Sequence, residues 1–128
     1  MKYLIDSYAW VKYFIGSNKG NILRDLFLNE ENKFFTLDCC LAEIHGWALK
    51  NSQEFSELLK IIKANSEILI SSENVWISSG KERYEQKKQQ KDFGLIDSVI
   101  LIKQKELGCK IITGDKHFKN FKNIIFLN

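Results

Sequence analysis

Apolar and polar positions along the chain follow two rhythms. Short runs that are apolar throughout alternate with longer stretches in which apolar residues recur three and four apart. Residues 2–6, Lys-Tyr-Leu-Ile-Asp, form the first short run and predict a buried strand. Ala9, Trp10, Tyr13 and Phe14 then recur at helical spacing after Ser7, and Gly16 stops that helix. A second helix is predicted over about 19–29, and 33–37, with Phe34, Phe35 and Thr36, has strand composition. Asp38 stands where it can cap a third helix running to about Lys50. The segment Asn51-Ser52-Gln53-Glu54 has the form of a capping box ahead of Phe55, Leu58, Leu59 and Ile62, which share a helix face. Residues 67–70 predict a strand, 72–91 a long and largely exposed helix, and 95–107 a far more apolar helix closed by Gly108. A strand over 110–113, a turn or short helix over 115–121 and a strand over 124–127 complete the pattern. Runs such as Tyr3-Leu4-Ile5, Ile68-Leu69-Ile70 and Ile111-Ile112 are apolar on both sides, as strands are when helices cover both faces of a parallel sheet. The predicted fold class is therefore α/β, a three-layer α/β/α sandwich on a parallel sheet.

Length and composition narrow this without changing it. A chain of 128 residues suits one domain, 1–128, and 45% hydrophobic with 27% charged residues excludes a disordered tail or a fibrous repeat. The longest nearly apolar stretch, 95–102, is broken by Asp97 and Ser98 and falls far short of the roughly 20 residues that span a bilayer. The opening Met-Lys-Tyr-Leu-Ile-Asp has no secretory h-region, so a cytoplasmic protein is expected. No internal repeat is visible, and with no proline the punctuation falls to Gly, Asn and Ser. Of the three cysteines, Cys39 and Cys40 are neighbours whose side chains diverge on a helix, and neither His45 nor His117 completes a zinc pattern with them. All three read as small core residues. Residues 1–80 carry 8 Lys/Arg against 10 Asp/Glu, whereas 81–128 carry 11 against 6. The basic second half suits a phosphate-bearing partner, although a lysine-rich solvated helix face gives the same count.

Four acids point to chemistry. Ligands of such sheets collect beyond the carboxyl ends of the strands, where the strand order reverses. Asp6 ends the first strand and Asp115 follows the 110–113 strand through Thr113-Gly114. Glu43 has Cys39, Cys40, Gly46 and Trp47 as helical neighbours, and Asp97 has Ile100 and Leu101, so neither has a basic residue on its face. A carboxylate set into an apolar face costs several kcal/mol unless it is paired, protonated or bound to a cation. Taken singly, each acid can equally be a helix cap or a rim residue reaching water. If Asp6, Glu43, Asp97 and Asp115 converge, their repulsion calls for a neutralising cation, and oxygen ligands select Mg²⁺ or Mn²⁺. Beside Lys116, His117, Lys119 and Lys122 such a cluster suits hydrolysis of a phosphodiester.

The stretches Asp6-Ser7-Tyr8-Ala9-Trp10, Leu41-Ala42-Glu43-Ile44, Gly94-Leu95-Ile96-Asp97-Ser98 and Ile112-Thr113-Gly114-Asp115-Lys116-His117-Phe118 resemble, in order and spacing, the four acidic motifs of PIN-domain nucleases. More narrowly, the chain is similar to the VapC toxins of prokaryotic VapBC toxin–antitoxin pairs, and the resemblance runs over residues 3–126. It implies a Mg²⁺- or Mn²⁺-dependent endoribonuclease acting on RNA, a five-stranded parallel sheet, a homodimer, and inhibition by a cognate antitoxin that inserts a segment into the active-site groove. Carried over residue by residue, Asp6, Glu43, Asp97 and Asp115 are the catalytic acids of the metal site. Ser7 and Thr113 match hydroxyl positions beside the first and last of them, where they orient water or the acids. Two departures stand out. Tyr8 occupies a position that is small and polar in many members, and Lys116 and His117 follow Asp115 where a further acid would support a second metal.

The remaining candidates have plainer readings. His117 and Lys116 are possible substrate contacts, but an exposed histidine in a turn is the simpler account of His117. His45 points away from Glu43 on its helix, Asp92 caps or ends a helix, and Trp10, Trp47 and Trp76 belong to core or dimer surface. Lys81, Arg83, Lys87, Lys88 and Lys91 are interleaved with Glu82 and Glu85, as on a solvated face. Two other functions compete: a receiver-like Mg²⁺-binding signalling module, and a catalytically silent RNA- or partner-binding domain. Against the receiver, the first strand ends in Asp6-Ser7 rather than paired acids, and no mid-chain strand ends in an aspartate to phosphorylate.

Overall fold

The computed structural model describes residues 1–127. In chain order the elements are β1 (Lys2–Ile5), α1 (Ser7–Ile15), α2 (Asn18–Phe27), β2 (Lys33–Leu37), α3 (Asp38–Lys50), α4 (Phe55–Asn65), β3 (Glu67–Leu69), α5 (Glu73–Gln86), α6 (Leu95–Leu107), β4 (Lys110–Thr113), a 3₁₀ turn (Lys116–Phe118) and β5 (Ile124–Phe126). The five strands pair in parallel in the order β3-β2-β1-β4-β5. From β1 the chain winds outward through β2 to β3, then crosses back to lay β4 against the other side of β1. The carboxyl ends of β1 and β4 thus flank the point where the winding direction reverses.

Alternation along the strands feeds two cores. Tyr3, Ile5 and Ile112 pack on one face with Trp10, Leu23, Ile44 and Ile62 from α1 to α4. Leu4 and Ile111 pack on the other with Val75, Val99 and Ile100 from α5 and α6, and with Phe93 and Phe118. The first face contains a short relay of polar groups. Ser66 Oγ donates to the Ile62 carbonyl at 2.8 Å and lies 2.8 Å from Thr36 Oγ1. A hydroxyl has one proton, so Thr36 donates to Ser66 and accepts from Trp10 Nε1 at 3.0 Å. Trp10 is therefore core, whereas Trp76 is 38% exposed. Cys40 and Cys109 are buried and Cys39 half-buried, all as free thiols.

Caps and glycines set the helix ends. Asp6 caps α1, and Gly16, at φ 78°, ends it. Ser17 caps α2, where Gly20 lies so close to α1 that a Cβ would meet the backbone of Lys12 and Tyr13. Three expectations about ends are corrected. No side chain caps α4: Glu54 occupies the N-cap, Ser52 sits in a turn at φ 55°, and Asn51 Nδ2 donates back to the Trp47 carbonyl. Asp38 is the first residue of α3 rather than its cap, and its carboxylate accepts from Ser71 N (3.0 Å) and Ser71 Oγ (2.7 Å). The long helix foreseen to Lys91 ends at Gln86, and Asp92 lies in the turn beyond it. Among the described residues no helix is long and apolar enough to cross a membrane.

Candidate active site

Two strand ends and two helices bring the four acids to one cleft. Asp6 leaves β1 and Asp115 follows β4, while Glu43 projects from the middle of α3 and Asp97 from the first turn of α6. All four line a cleft of about 540 Å³ together with Ser7, Tyr8, Val11, Lys12, Gly114 and Lys116. A larger cavity of about 660 Å³, bordered by Gln104, Gly108 and Lys110, lies at the opposite, amino end of β4 and holds none of these acids.

Hydroxyls stitch the acids together. Thr113 Oγ1 donates to Asp6 Oδ2 at 2.6 Å and accepts from the Asp115 N–H at 3.0 Å, tying the ends of β1 and β4. The Ser7 N–H donates to Asp6 Oδ1 at 2.8 Å. Ser7 Oγ has one proton to give, and Glu43 Oε1 at 2.9 Å is the nearer acceptor than Asp6 Oδ1 at 3.4 Å. Asp97 Oδ2 accepts from the Gly94 N–H at 3.0 Å, so this acid also secures the start of α6. Asp6 is buried and Asp97 half-buried, but Glu43 is exposed: it stands on the rim of the cleft rather than set into an apolar face.

His117 departs from expectation. It is not an exposed turn residue, since its side chain is only 15% exposed. Nδ1 lies 2.8 Å from Asp115 Oδ1 and 3.2 Å from Asp97 Oδ2, and Nε2 lies 3.1 Å from Asp92 Oδ2. Neither nitrogen is aligned for a hydrogen bond, so these are contacts of charge rather than directed bonds. Sequence reasoning also missed Asp92 as the outer partner of this ring. It missed as well that Cys40 shares a metal-sized cluster with Asp6 and Glu43, their ligand atoms lying within 4.8 Å of one another. Helical spacing already put Cys40 one turn before Glu43.

The electrostatics are those of acids in want of a counter-charge. Burial pushes the Asp6 carboxyl up to about 7 against the pull of the Thr113 hydrogen bond, and the charge of Glu43 adds to the rise. Burial likewise lifts Asp97 to about 6 against the Gly94 N–H, helped by Asp115. Glu43, though on the rim, is raised by the partial loss of water around its carboxyl at the cleft, drawn back by Ser7 and raised further by Asp115. Burial lowers His117, but Asp92, Asp115 and Asp97 outweigh it and hold the imidazole above its ordinary value. Among the described residues no lysine or arginine pairs with any of the four acids. Two groups of potential ligand atoms, each within 4.8 Å of one another, stand in and beside the cleft, Asp6 with Cys40 and Glu43, and Asp97 with Asp115 and His117, and their carboxylate oxygens suit a hard divalent cation.

Comparison of structures identifies the architecture. A chain of a toxin–antitoxin complex from Klebsiella pneumoniae superposes with TM-score 0.74 at 20% identity, covering 98% of both chains. A chain of the Rickettsia felis VapBC2 complex, bound to a promoter DNA fragment, gives 0.73 at 22% identity over 98% of this chain and 97% of that one. The sarcin–ricin-loop-cleaving toxin VapC20 of Mycobacterium tuberculosis gives 0.76 at 10% identity over 94% and 95%. The fold is the PIN-domain fold of VapC toxins. No family model matches the sequence, and no curated protein matches it as a relative. The PIN fold accounts for the three layers and for the five parallel strands, and it puts the cleft at the strand-order reversal of its sheet.

Proposed function

We propose that this chain is a divalent-metal-dependent endoribonuclease and the toxin of a VapBC-type pair. The observation that carries the reading is the convergence of Asp6, Glu43, Asp97 and Asp115 on one cleft with no lysine or arginine paired to them among the described residues. The similar structures include toxins, one of them a cleaver of the sarcin–ricin loop, and this supports the reading. Mg²⁺ or Mn²⁺ would be held by the four acids and would supply an activated water and neutralise charge developing on the phosphate. Thr113 and Ser7 orient Asp6 and Glu43, leaving outward lone pairs for the cation. Lys116, exposed at the cleft, meets the substrate's negative charge, and His117 keeps Asp97 and Asp115 turned toward each other.

The proposal extends to partners. Ile77, Tyr84 and Ile70 are 65, 69 and 74% exposed on or beside α5, an apolar surface that a second copy of the chain covers in a homodimer. An antitoxin, the partner in the complexes to which the fold is similar, closes the cleft.

The test is cleavage of a structured RNA with Mn²⁺ or Mg²⁺. Wild type is expected to cut, EDTA to stop cutting, and Asp6→Asn and Asp97→Asn each to abolish it with melting still cooperative. Undiminished cutting by both variants would refute the assignment. A receiver-like module would instead gain mass on incubation with a small phosphodonor.

A further inference from the structure

Outside the acids, one group of side chains at the cleft is unexplained. Tyr8 and Lys12 line it, and Tyr8 leans on the turn after β4 so closely that a Cβ on Gly114 would collide with its ring. Lys12 Nζ lies 5.4 Å from the centre of that ring, and Lys19 Nζ, reaching over from α2, lies 5.9 Å from it. Lys19 Nζ also donates to Tyr8 Oη at 3.3 Å. Among the described residues neither ammonium group has a carboxylate partner. The ring attracts Lys12 and its hydroxyl accepts from Lys19, but neither contact neutralises an ammonium group.

We infer that Tyr8, Lys12 and Lys19 form a shelf that binds a backbone phosphate of the RNA, next to the one cut at the acids. The inference rests on the nuclease reading and deepens it. A phosphate is the fitting ligand because two ammonium groups without a carboxylate stand beside the cleft of the acids, and an oxyanion supplies the missing counter-charge. The cleft is then bipolar. Acids hold the cation at the phosphate that reacts, and the shelf holds its neighbour and fixes the strand's register. Tyr8 is a positioning residue, linking the lysines to the turn that carries Asp115.

Fluorescence anisotropy of a labelled single-stranded RNA in EDTA, over a series of KCl concentrations, reads the shelf without cleavage. Removing the one phosphate contact in Lys12→Gln/Lys19→Gln is expected to reduce the slope of log affinity against log salt by about 0.7. In Mn²⁺ assays the same variant is expected to raise KM while kcat stays within about twofold. Tyr8→Leu, which removes both the ring and its hydroxyl, is expected to behave like the double variant, and Tyr8→Phe, which keeps the ring but loses the acceptor of Lys19, to fall between it and wild type. An unchanged salt slope and KM in the lysine variant, with its melting curve intact, overturns the shelf while leaving the nuclease standing. A reduced slope in a protein that cuts no RNA keeps the shelf and removes the nuclease.

Discussion

A carboxyl group at Asp6 that is held near 7, against an ordinary 3.8, makes the cation-free protein sensitive to pH in a definite direction. Between those values the folded chain retains a proton that the unfolded chain has lost. The Asp6 contribution to stability is therefore full below about pH 4 and is lost as pH rises to about 7, by on the order of 4 kcal/mol for a shift of this size. Asp97, raised to about 6, adds to the decline. Calorimetric melting in EDTA is expected to show a lower Tm at pH 8 than at pH 5, and Asp6→Asn to flatten the difference. Mn²⁺ binds the ionised acids and reverses the trend, so it is expected to raise Tm more at pH 8 than at pH 5. An equal rise at both values would mean that the ion binds elsewhere.

At the scale of elements, the sequence rhythm was most informative where tertiary context agreed with it. The runs over 33–37 and 110–113 form strands with those same limits, because each is buried on both faces and local pattern and environment coincide. It misled where a polar side chain had two possible employers. Asn51 and Ser52 looked like caps but serve the end of α3, and Asp38 joins Ser71 across the sheet edge. The same ambiguity touched the site. Glu43 and Asp97 were recognisable by the lack of a basic neighbour, whereas the burial of His117 depends on Asp92 and Asp97, twenty or more residues away in the chain. Periodicity carries no record of such contacts. The α1–α2 crossing also depends on one residue: Gly20→Ala is expected to destabilise by about 1–3 kcal/mol in urea titrations, because the added methyl meets backbone rather than a movable side chain.

For the whole molecule, the exposed apolar surface of α5 and the basic excess after residue 80 set what the protein meets in solution. If a second copy covers α5, Ile77→Asp/Tyr84→Glu is expected to halve the mass seen by light scattering without changing the circular dichroism spectrum. A wild type that is already monomeric would remove the homodimer. The hydrogen bond from Thr113 to Asp6 spans 107 positions, and the acids it helps align come from both ends of the chain. No segment that ends before β4 contains the assembled cleft, because β4 must slot in beside β1 before Asp115 can face Asp6. A nascent polypeptide therefore lacks the assembled cleft until β4 has emerged from the ribosome and paired with β1.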